Sequence, residues 1–212
     1  MPRSFDSGTN GLEMHPYITD SDERRHVPLL IAAVAIGFSL GLSGLLNSFD
    51  VTVPGWVDIT SVPLLYGVLY ATFDRYSWRW PIFRTFGIVK VPVLEGRWSG
   101  YVQSSHDNHT VNHEVHVRIE QNWTRMRITL EGDLSRSHSI LASVLTNAPE
   151  GTVLDYEYQN EPLPGARDAM QIHHGTARLN IVSGTDLDGY YYTGRGRGNH
   201  GRIHLQKSSS AE

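Results

Sequence analysis

The sequence predicts a membrane-anchored all-β protein, with two N-terminal transmembrane helices followed by a small antiparallel β-barrel of about eight strands. Two observations support this fold class. A long N-terminal stretch carries no charged side chain, and apolar and polar residues alternate along the C-terminal half. The first pattern is typical of helices in lipid, and the second is typical of strands with one buried face.

The first predicted transmembrane helix spans Val27 to Phe49. This run has no charged residue and is rich in Leu, Ile, Val, Ala and Gly. As a helix that rises ~1.5 Å per residue it would extend about 34 Å, enough to cross a hydrocarbon core of ~30 Å. It is too long for the core of a signal peptide, and a polar segment precedes it. We therefore expect it to remain in the mature protein.

The second predicted transmembrane helix spans Val53 to Phe73 and is less apolar. Its Asp58 lies near the start of the segment, where a carboxylate can remain at the level of the lipid headgroups. Trp56, Trp78 and Trp80 fit aromatic belts at the two membrane interfaces. Because the connection between the two runs is short, the helices are expected to form a hairpin.

Positively charged residues near the helix ends predict the orientation in the membrane. The loop between the two helices has no Lys or Arg, whereas six such residues lie just outside the hairpin: Arg24, Arg25, Arg75, Arg79, Arg84 and Lys90. Positive flanks favour the cytoplasmic side. Both termini, and with them the β domain, are therefore expected in the cytoplasm.

Gly37 and Gly41 form a small-xxx-small pair in the first helix. Small residues at this spacing let helix backbones approach closely in lipid. We predict that this face packs a neighbouring helix. The neighbour could be the second helix of the same chain or a helix of another chain, and the sequence leaves both open.

The C-terminal half alternates with a period of two from about Glu95 onward, as at Val115, Val117 and Ile119. Eight strands are predicted, near residues 97–104, 113–121, 124–131, 138–146, 152–159, 170–182, 187–194 and 201–207. Short sequential antiparallel strands favour a closed barrel, because closure leaves no exposed edge. A β-sandwich is the alternative architecture.

These patterns divide the chain into five segments. We predict a disordered polar segment over residues 1–26, the helix hairpin over 27–80, a linker over 81–94, the β domain over 95–208 and a short tail over 209–212.

Composition excludes several functional classes. With 18 basic and 22 acidic residues the net charge is −4, so the basic excess of a DNA- or RNA-binding protein is missing. The chain has no cysteine, which excludes disulfides, thiolate catalysis and cysteine-ligated zinc. No pair of carboxylates or catalytic triad stands out. We therefore predict a binding module without a cofactor rather than an enzyme.

Four histidines lie close together in the sequence, as metal ligands often do: His106, His109, His113 and His116. However, His113 and His116 differ in parity and would point to opposite faces of one strand. No further partner has the spacing of a known metal motif. The sequence therefore predicts no metal site here.

The segment from Gly196 to Gly201 matches the pattern GxGxxG. A dinucleotide-binding loop of that type needs a strand before it and a helix after it, whereas a strand follows here. We interpret the segment as a glycine-rich hairpin turn. Its neighbouring arginines, Arg195 and Arg197, are suited to binding phosphates, which guanidinium groups recognise in bidentate fashion.

The segment Ser135–Ser139 offers three hydroxyl groups and Arg136, but it lacks the Gly-x-Ser-x-Gly elbow of a serine nucleophile. Aromatic residues are plentiful in the β domain, and some of them could stack on nucleobases.

The order of features resembles one family, the two-transmembrane β-barrel effectors of bacterial CBASS antiphage defence, also called CD-NTase-associated membrane effectors. The motifs that carry the resemblance follow the hairpin in this order: GRWSGY (96–101), IEQNWT (119–124), SRSHS (135–139), LDYEYQN (154–160), HGT (174–176) and LDGYYYT (187–193).

The resemblance implies a function in cell defence. A partner nucleotidyltransferase would sense infection and make a cyclic nucleotide, expected to be a cyclic dinucleotide. The barrel would bind this signal, and the protein would form homo-oligomers in the inner membrane. The helices would then disrupt the bilayer and kill the cell.

The candidate ligand contacts are selected by chemistry alone. We predict that phosphates are bound by Arg136, Arg195 and Arg197, and bases by Tyr101, Tyr158 and Tyr192. Two other readings of the chain stay open: a membrane-tethered, lipocalin-like barrel for an apolar molecule, and a non-enzymatic module that binds only proteins.

Overall fold

The computed structural model describes residues 13–50, 55–166, 171–194 and 196–208. The chain forms two compact units. One comprises residues up to Ile18 together with Leu94 onward, and the other comprises Thr19–Val93. The first unit is the β domain and the second contains the helices.

In the described residues the helical unit has three α-helices, α1 (Glu23–Ser48), α2 (Gly55–Arg75) and the short α3 (Pro81–Thr85), with a 3-10 turn at Ser77–Arg79 between α2 and α3. Helix α1 has a mean hydropathy of 2.3 over 18 residues, of which only 11% are buried. A helix so apolar and so exposed is typical of a membrane-spanning segment. Among the described residues, α1 is the single helix whose length and composition qualify it as a membrane span.

Helix α2 forms where the sequence predicted a second transmembrane helix, but among the described residues α1 alone qualifies as a membrane span. The first predicted span is thus matched by α1, and the second span stays a prediction.

Helices α1 and α2 pack through small residues, although not through the predicted glycines. The Ser39 Oγ lies 2.8 Å from the Ser61 Oγ, and Ala35 is fully buried. A methyl group placed on Gly37 or Gly41 would meet no atom of the described part of the chain within 4 Å. The glycine pair therefore lies off the α1–α2 interface and leaves an open face on α1.

A buried carboxylate at the start of α1 organises the other end of the helical unit. The Glu23 Oε2 accepts hydrogen bonds from the backbone N–H groups of Lys90 (2.6 Å) and Val91 (3.1 Å). An acidic side chain in the first turn is also favoured by the helix dipole. The segment that leads out of the helical unit is thereby fixed to its first helix.

The described part of the β domain has nine strands. Their bounds are β1 (His15–Thr19), β2 (Gly96–Ser104), β3 (His113–Gln121), β4 (Arg125–Glu131), β5 (Ser135–Ala148), β6 (Gly151–Pro162), β7 (His173–Ser183), β8 (Asp186–Thr193) and β9 (His200–Lys207). All neighbours are antiparallel. Strands β2 to β9 close into a barrel through the pairing of β4 with β5, and β1 adds to β4. These eight strands are those that the alternation predicted.

Strand β1 is the part of the fold that the sequence did not predict, because it falls in the segment expected to be disordered. Its five residues are too few to show a periodic pattern. Order comes from tertiary contacts instead: Tyr17 is buried, and its backbone N–H donates to the Thr124 carbonyl oxygen at 3.2 Å. Residues 1–12 lie outside the described part of the chain.

One end of the barrel is filled by large apolar side chains. Trp98, Trp123 and Met126 are almost completely buried there. The Trp98 Nε1 donates to the Leu94 carbonyl oxygen at 3.0 Å, and the Gln121 Oε1 accepts from the Leu94 N–H at 2.7 Å. This end is therefore a packed core with satisfied polar groups, and we call it the closed end.

Glycines allow the sharp curvature that a small barrel needs. Gly100 of β2 pairs with Leu205 of β9. A Cβ atom at Gly100 would overlap the backbone carbonyl oxygen of His204. By contrast, a Cβ atom at Gly184, in the β7–β8 turn, would meet nothing within 4 Å.

We expect Gly100→Ala to destabilise the barrel by about 1–3 kcal/mol, because the two strands must separate to accommodate the methyl group. The measurement is thermal and urea unfolding of the full chain in detergent, followed by tryptophan fluorescence. Gly184→Ala is the matched control and should change the stability by less than about 0.5 kcal/mol. Equal midpoints for the two variants would contradict the role assigned to Gly100.

Candidate ligand-binding cavity

The end of the barrel opposite the closed end is open and holds a cavity of about 540 Å³. Every strand from β2 to β9 contributes one of its termini to this end, so the mouth is surrounded by the loops between β2 and β3, β4 and β5, β6 and β7, and β8 and β9. Cavities of this size are typical of small-molecule sites, and eight-stranded barrels can hold one small ligand.

Strand alternation decides which side chains face the cavity. On β6, Tyr156, Tyr158 and Asn160 share the parity of the buried Leu154 and point inward. Ser137 of β5 pairs with Asn160, and it too lines the cavity. The inward face therefore changes from apolar at the closed end to hydroxyl- and amide-bearing at the open end.

The tyrosines of the cavity carry protonated hydroxyl groups. Burial raises the pKa values of Tyr156 and Tyr158 well above the ordinary value. Burial also raises the pKa of Tyr191, and its hydrogen bond with Ser104 partly opposes this effect. These hydroxyls can therefore donate hydrogen bonds throughout the physiological pH range. The Tyr156 and Tyr158 rings lie 6.1 Å apart between centroids and form an aromatic wall.

Arg197 brings a fixed positive charge to the cavity from the glycine-rich turn between β8 and β9. It is the single Lys or Arg on the cavity wall among the residues described. With the Asn199 amide turned so that its oxygen faces Arg197, that oxygen lies 3.2 Å from the Arg197 Nε. The guanidinium group is thus oriented from one side and can bind an anion with its remaining N–H groups.

The charge of Arg197 reaches other groups of the cavity. Burial lowers the pKa of His173, and the nearby Arg197 lowers it further. The same charge works against the burial-driven rise in the pKa of Tyr158. These two residues lie on β7 and β6, so the charge of Arg197 reaches the strand next to β8 in the barrel and the strand beyond it.

His113 and Asp107 form an ion pair at the rim of the mouth. The His113 Nε2 lies 2.5 Å from the Asp107 Oδ2. The hydrogen bond from His113 is the main cause of a lowered pKa of Asp107. In the part of the chain that the structure describes, no group of three His, Asp or Glu side chains is arranged to hold a metal ion.

The structure places the predicted ligand contacts in different environments. Tyr158 and Arg197 line the cavity. Tyr101 and Tyr192 lie on the outer face of the barrel, where their rings contact His204 (centroids 5.5 Å apart) and His200 (6.5 Å) respectively.

Arg136, on the outer face of β5, donates to the Glu131 carboxylate at 2.7 Å. Arg195 lies outside the described residues. A ligand contact at any of the six predicted positions stays a prediction, but only Tyr158 and Arg197 are on the cavity wall among those described.

The sequence-based selection missed Tyr156, Asn160, Ser137 and Asn199. A usable signal was present for the first two, because both share the parity of the apolar Leu154 on one strand. The same rule separates Tyr191, which faces inward, from its neighbour Tyr192, which faces outward. Asn199 lies in a loop, where alternation gives no information.

A second groove, of about 470 Å³, runs along the outside of the barrel near the closed end. Its arginines are already paired. Glu120 binds Arg127 (Nε to Oε2, 2.7 Å) and Arg118 (Nη2 to Oε1, 3.2 Å). Because the charges neutralise one another, the cavity inside the barrel is the better candidate site.

Comparison with known proteins agrees with this assignment. Residues 89–207 match the model of the Cap15 cyclic dinucleotide receptor domain, and residues 25–79 match that of the Cap15 TM helices. The chain is also similar to the CD-NTase-associated protein 15 of Yersinia aleksiciae, with 30% identity over 214 residues that cover 94% of this chain and 100% of the relative.

The cavity lies entirely within the part that matches the receptor domain. The match to the TM-helix model also agrees with the exposed apolar surface of α1. The resemblance of the sequence to the membrane effectors of CBASS is thereby confirmed, and this chain belongs to the Cap15 family of CD-NTase-associated, membrane-anchored antiviral effectors.

Proposed function

We propose that the chain senses a cyclic dinucleotide in the open half of its barrel, oligomerises in response and disrupts the bacterial inner membrane. A cognate nucleotidyltransferase would supply the signal during phage infection, and membrane damage would cause abortive infection. The observation that carries this proposal is the cavity itself: one guanidinium group faces a wall of tyrosines within the segment of the receptor domain.

The chemistry of the cavity suits a cyclic dinucleotide. Arg197 offers charged N–H donors for a phosphate, and the Tyr156 and Tyr158 rings offer surfaces on which a base can stack. Ser137 and Asn160 add groups that can hydrogen-bond base edges or ribose hydroxyls. These polar inward positions disfavour the alternative of a lipocalin-like barrel for an apolar molecule, because such a ligand would displace water from polar groups without offering hydrogen bonds in exchange.

The direct test is thermal stabilisation of the full chain in detergent against cyclic di-AMP, cyclic di-GMP, cyclic GMP-AMP and a cyclic trinucleotide. Saturable stabilisation by one of them supports the proposal. A folded protein that shows no shift with any of them contradicts it. We assign the cavity a receptor role rather than a catalytic one, so the bound nucleotide should be recovered intact.

The proposed topology places α1 and α2 across the inner membrane, with both termini and the barrel in the cytoplasm. The excess of Arg outside the hairpin supports this orientation. Exposed apolar residues on α2, such as Leu64 and Val68, support a second span. Trp80 and Ile82, at the exposed start of α3, suit the membrane interface.

The proposed assembly of membrane helices has an available surface. Because a methyl group at Gly37 or Gly41 would meet no atom of the described residues within 4 Å, their face of α1 is available to a helix from another copy. Close approach of backbones at such a pair stabilises helix association in lipid. Bound ligand would favour the assembled state by the difference in its affinity for the two states.

We expect Arg197→Ala to weaken binding of the stabilising nucleotide by about 10- to 100-fold, because a charged hydrogen bond to phosphate is lost. Isothermal titration of the full chain measures this affinity. Arg202→Ala is the control: Arg202 is also an arginine near the mouth, but it pairs with Asp188 on the outer face. Equal affinities of the two variants would show that Arg197 does not contact the nucleotide.

Tyr158→Ala should weaken binding by about tenfold or more, since stacking on a base contributes about 1–3 kcal/mol. Tyr158→Phe keeps the ring and should retain most of that affinity. Tyr192→Ala, on the outer face, serves as the control and should bind as the wild type does. Loss of affinity only in the Tyr192 variant would place the ligand outside the barrel.

Gly41→Leu should abolish toxicity while the nucleotide affinity stays unchanged, because a bulky side chain would keep α1 helices apart. Cell survival after induction with an active synthase measures toxicity, and titration measures affinity. Leu42 is exposed next to the glycine pair, so Leu42→Ala is the control for a change of side-chain size outside that pair. Undiminished toxicity of the Gly41 variant would exclude the glycine face from assembly.

A further inference from the structure

The wall of the barrel has a seam between β4 and β5. These two strands pair only near the mouth, from Thr129 opposite His138 to Glu131 opposite Arg136. Below this point β5 continues to pair with β6, but the register shifts between Ser139 and Leu141. Such a bulge bends the strand and is found where a sheet opens or changes direction.

Strand β1, which precedes the helices in the sequence, lies in this seam. His15 lies opposite Met126 and Pro16 lies opposite Arg125, so β1 pairs with β4 where β5 has left it. Its outer edge is a weak template for another strand, because Pro16 has no N–H to donate. Among the described residues, β1 is held to β4 by this short pairing, by the Tyr17 N–H bond to the Thr124 carbonyl oxygen and by the Tyr17 hydroxyl, which donates to the Asn122 carbonyl oxygen at 3.5 Å.

One contact crosses the seam to β5. The His15 Nε2 lies 2.7 Å from the Ser139 Oγ. The His15 Nδ1 lies 3.0 Å from the Pro16 carbonyl oxygen, so Nδ1 carries the proton and Nε2 accepts from the serine hydroxyl. The Ser139 Oγ in turn accepts from the Ile128 N–H at 2.9 Å. Ser139 thus joins β5, β4 and β1 at a single buried point.

This junction lies directly beneath the ligand cavity. Ser139 pairs with Tyr158, and Ser137, two residues away on the same inward face, pairs with Asn160. Tyr158, Ser137 and Asn160 all line the cavity. On the other side of the junction, β1 ends at Thr19 and α1 begins at Glu23, with three residues between them.

We propose that β1 is a detachable strap, latched by the His15–Ser139 hydrogen bond, whose release couples the cavity to the first membrane helix. The inference rests on the proposed function, since the ligand is the trigger. A ligand that contacts Tyr158 and Ser137 displaces Ser139, and the latch opens. Because only three residues separate β1 from α1, release of β1 frees the segment that leads into α1, and the membrane helices then rearrange.

A disulfide can hold the strap closed, and because the chain has no native cysteine, the introduced pair cannot form a disulfide with any other residue of the chain. Pro16 and Arg125 face each other across the β1–β4 pair, and both side chains are exposed and remote from the cavity. Directly opposed positions in antiparallel strands have Cα separations that a disulfide can bridge. The variant is Pro16→Cys/Arg125→Cys, with each single substitution as a control.

The assay uses the full chain in vesicles of bacterial phospholipids, loaded with a fluorescent dye. The trigger is the cyclic dinucleotide that gives the largest thermal shift with the wild type. The oxidised double variant should bind this nucleotide more weakly than its reduced form, because the closed strap opposes the displacement of Ser139, and it should lose the triggered dye release. Reduction should restore release, and the single variants should release dye under both conditions. Equal release by the oxidised and reduced protein would overturn the proposal.

A second variant tests the latch without any ligand. His15→Ala removes the bond to Ser139 and should release dye in the absence of nucleotide, whereas His15→Gln, whose amide can reach the same hydroxyl, should stay closed. If no cyclic dinucleotide binds the wild type, the proposed function fails and this comparison alone decides the strap. If the His15→Ala protein releases no more dye than the wild type in the absence of nucleotide, the proposal is overturned.

Discussion

Closure of the sheet through the short β4–β5 pairing is the constraint on which the rest of the β domain depends. Once eight strands form a closed barrel, every second side chain must enter the interior, and the interior has two ends that can differ. Here Trp98, Trp123 and Met126 fill one end completely. The volume at the other end stays open because smaller and hydroxylated side chains occupy the equivalent inward positions.

The same constraint explains the electrostatic design of the cavity. A charge inside a barrel is costly unless it is paired or solvated, and Arg197 avoids this cost by entering from a loop at the mouth. From there its charge still affects groups on β6 and β7. The arginines of the outer wall are instead matched with carboxylates, as Arg178 is with Asp155 and Glu150. A single positive group therefore faces inward among the residues described, and an anionic ligand is the complement that this arrangement calls for.

Closure also leaves an unpaired strand edge at the seam. The bulge beside Ser139 lets β5 diverge from β4, which exposes an edge of β4 that must be covered. The chain covers it with β1, the segment that leads directly into α1. The edge of β4 is thus covered by β1, the strand that directly precedes α1 in the sequence. The hydrogen bonds of Ser139 join this covering strand to β4 and β5 just below the cavity.

Much of the fold was predictable because it depends on local periodicity. The uncharged run that became α1 and the alternation that became β2 to β9 both follow from the chemistry of one face of one element. Strand β1 was not predictable, because five residues show no period and its order depends on an edge that exists only after the barrel has closed. The small residues of α1 predicted close packing, but only the structure showed that Ala35 and Ser39 face α2 while Gly37 and Gly41 do not.

The sequence by itself determined the membrane anchor, the all-β domain, the absence of cysteine chemistry and the family to which the chain is similar, since each depends on composition or on the order of short motifs. The site needed the tertiary structure. Tyr158 and Tyr192, or Arg197 and Arg136, are equivalent in chemistry, and only their strand parity and position along the barrel separate the cavity wall from the outer surface. That distinction arises because closing the sheet gives each side chain an inside or an outside, which no residue type carries on its own.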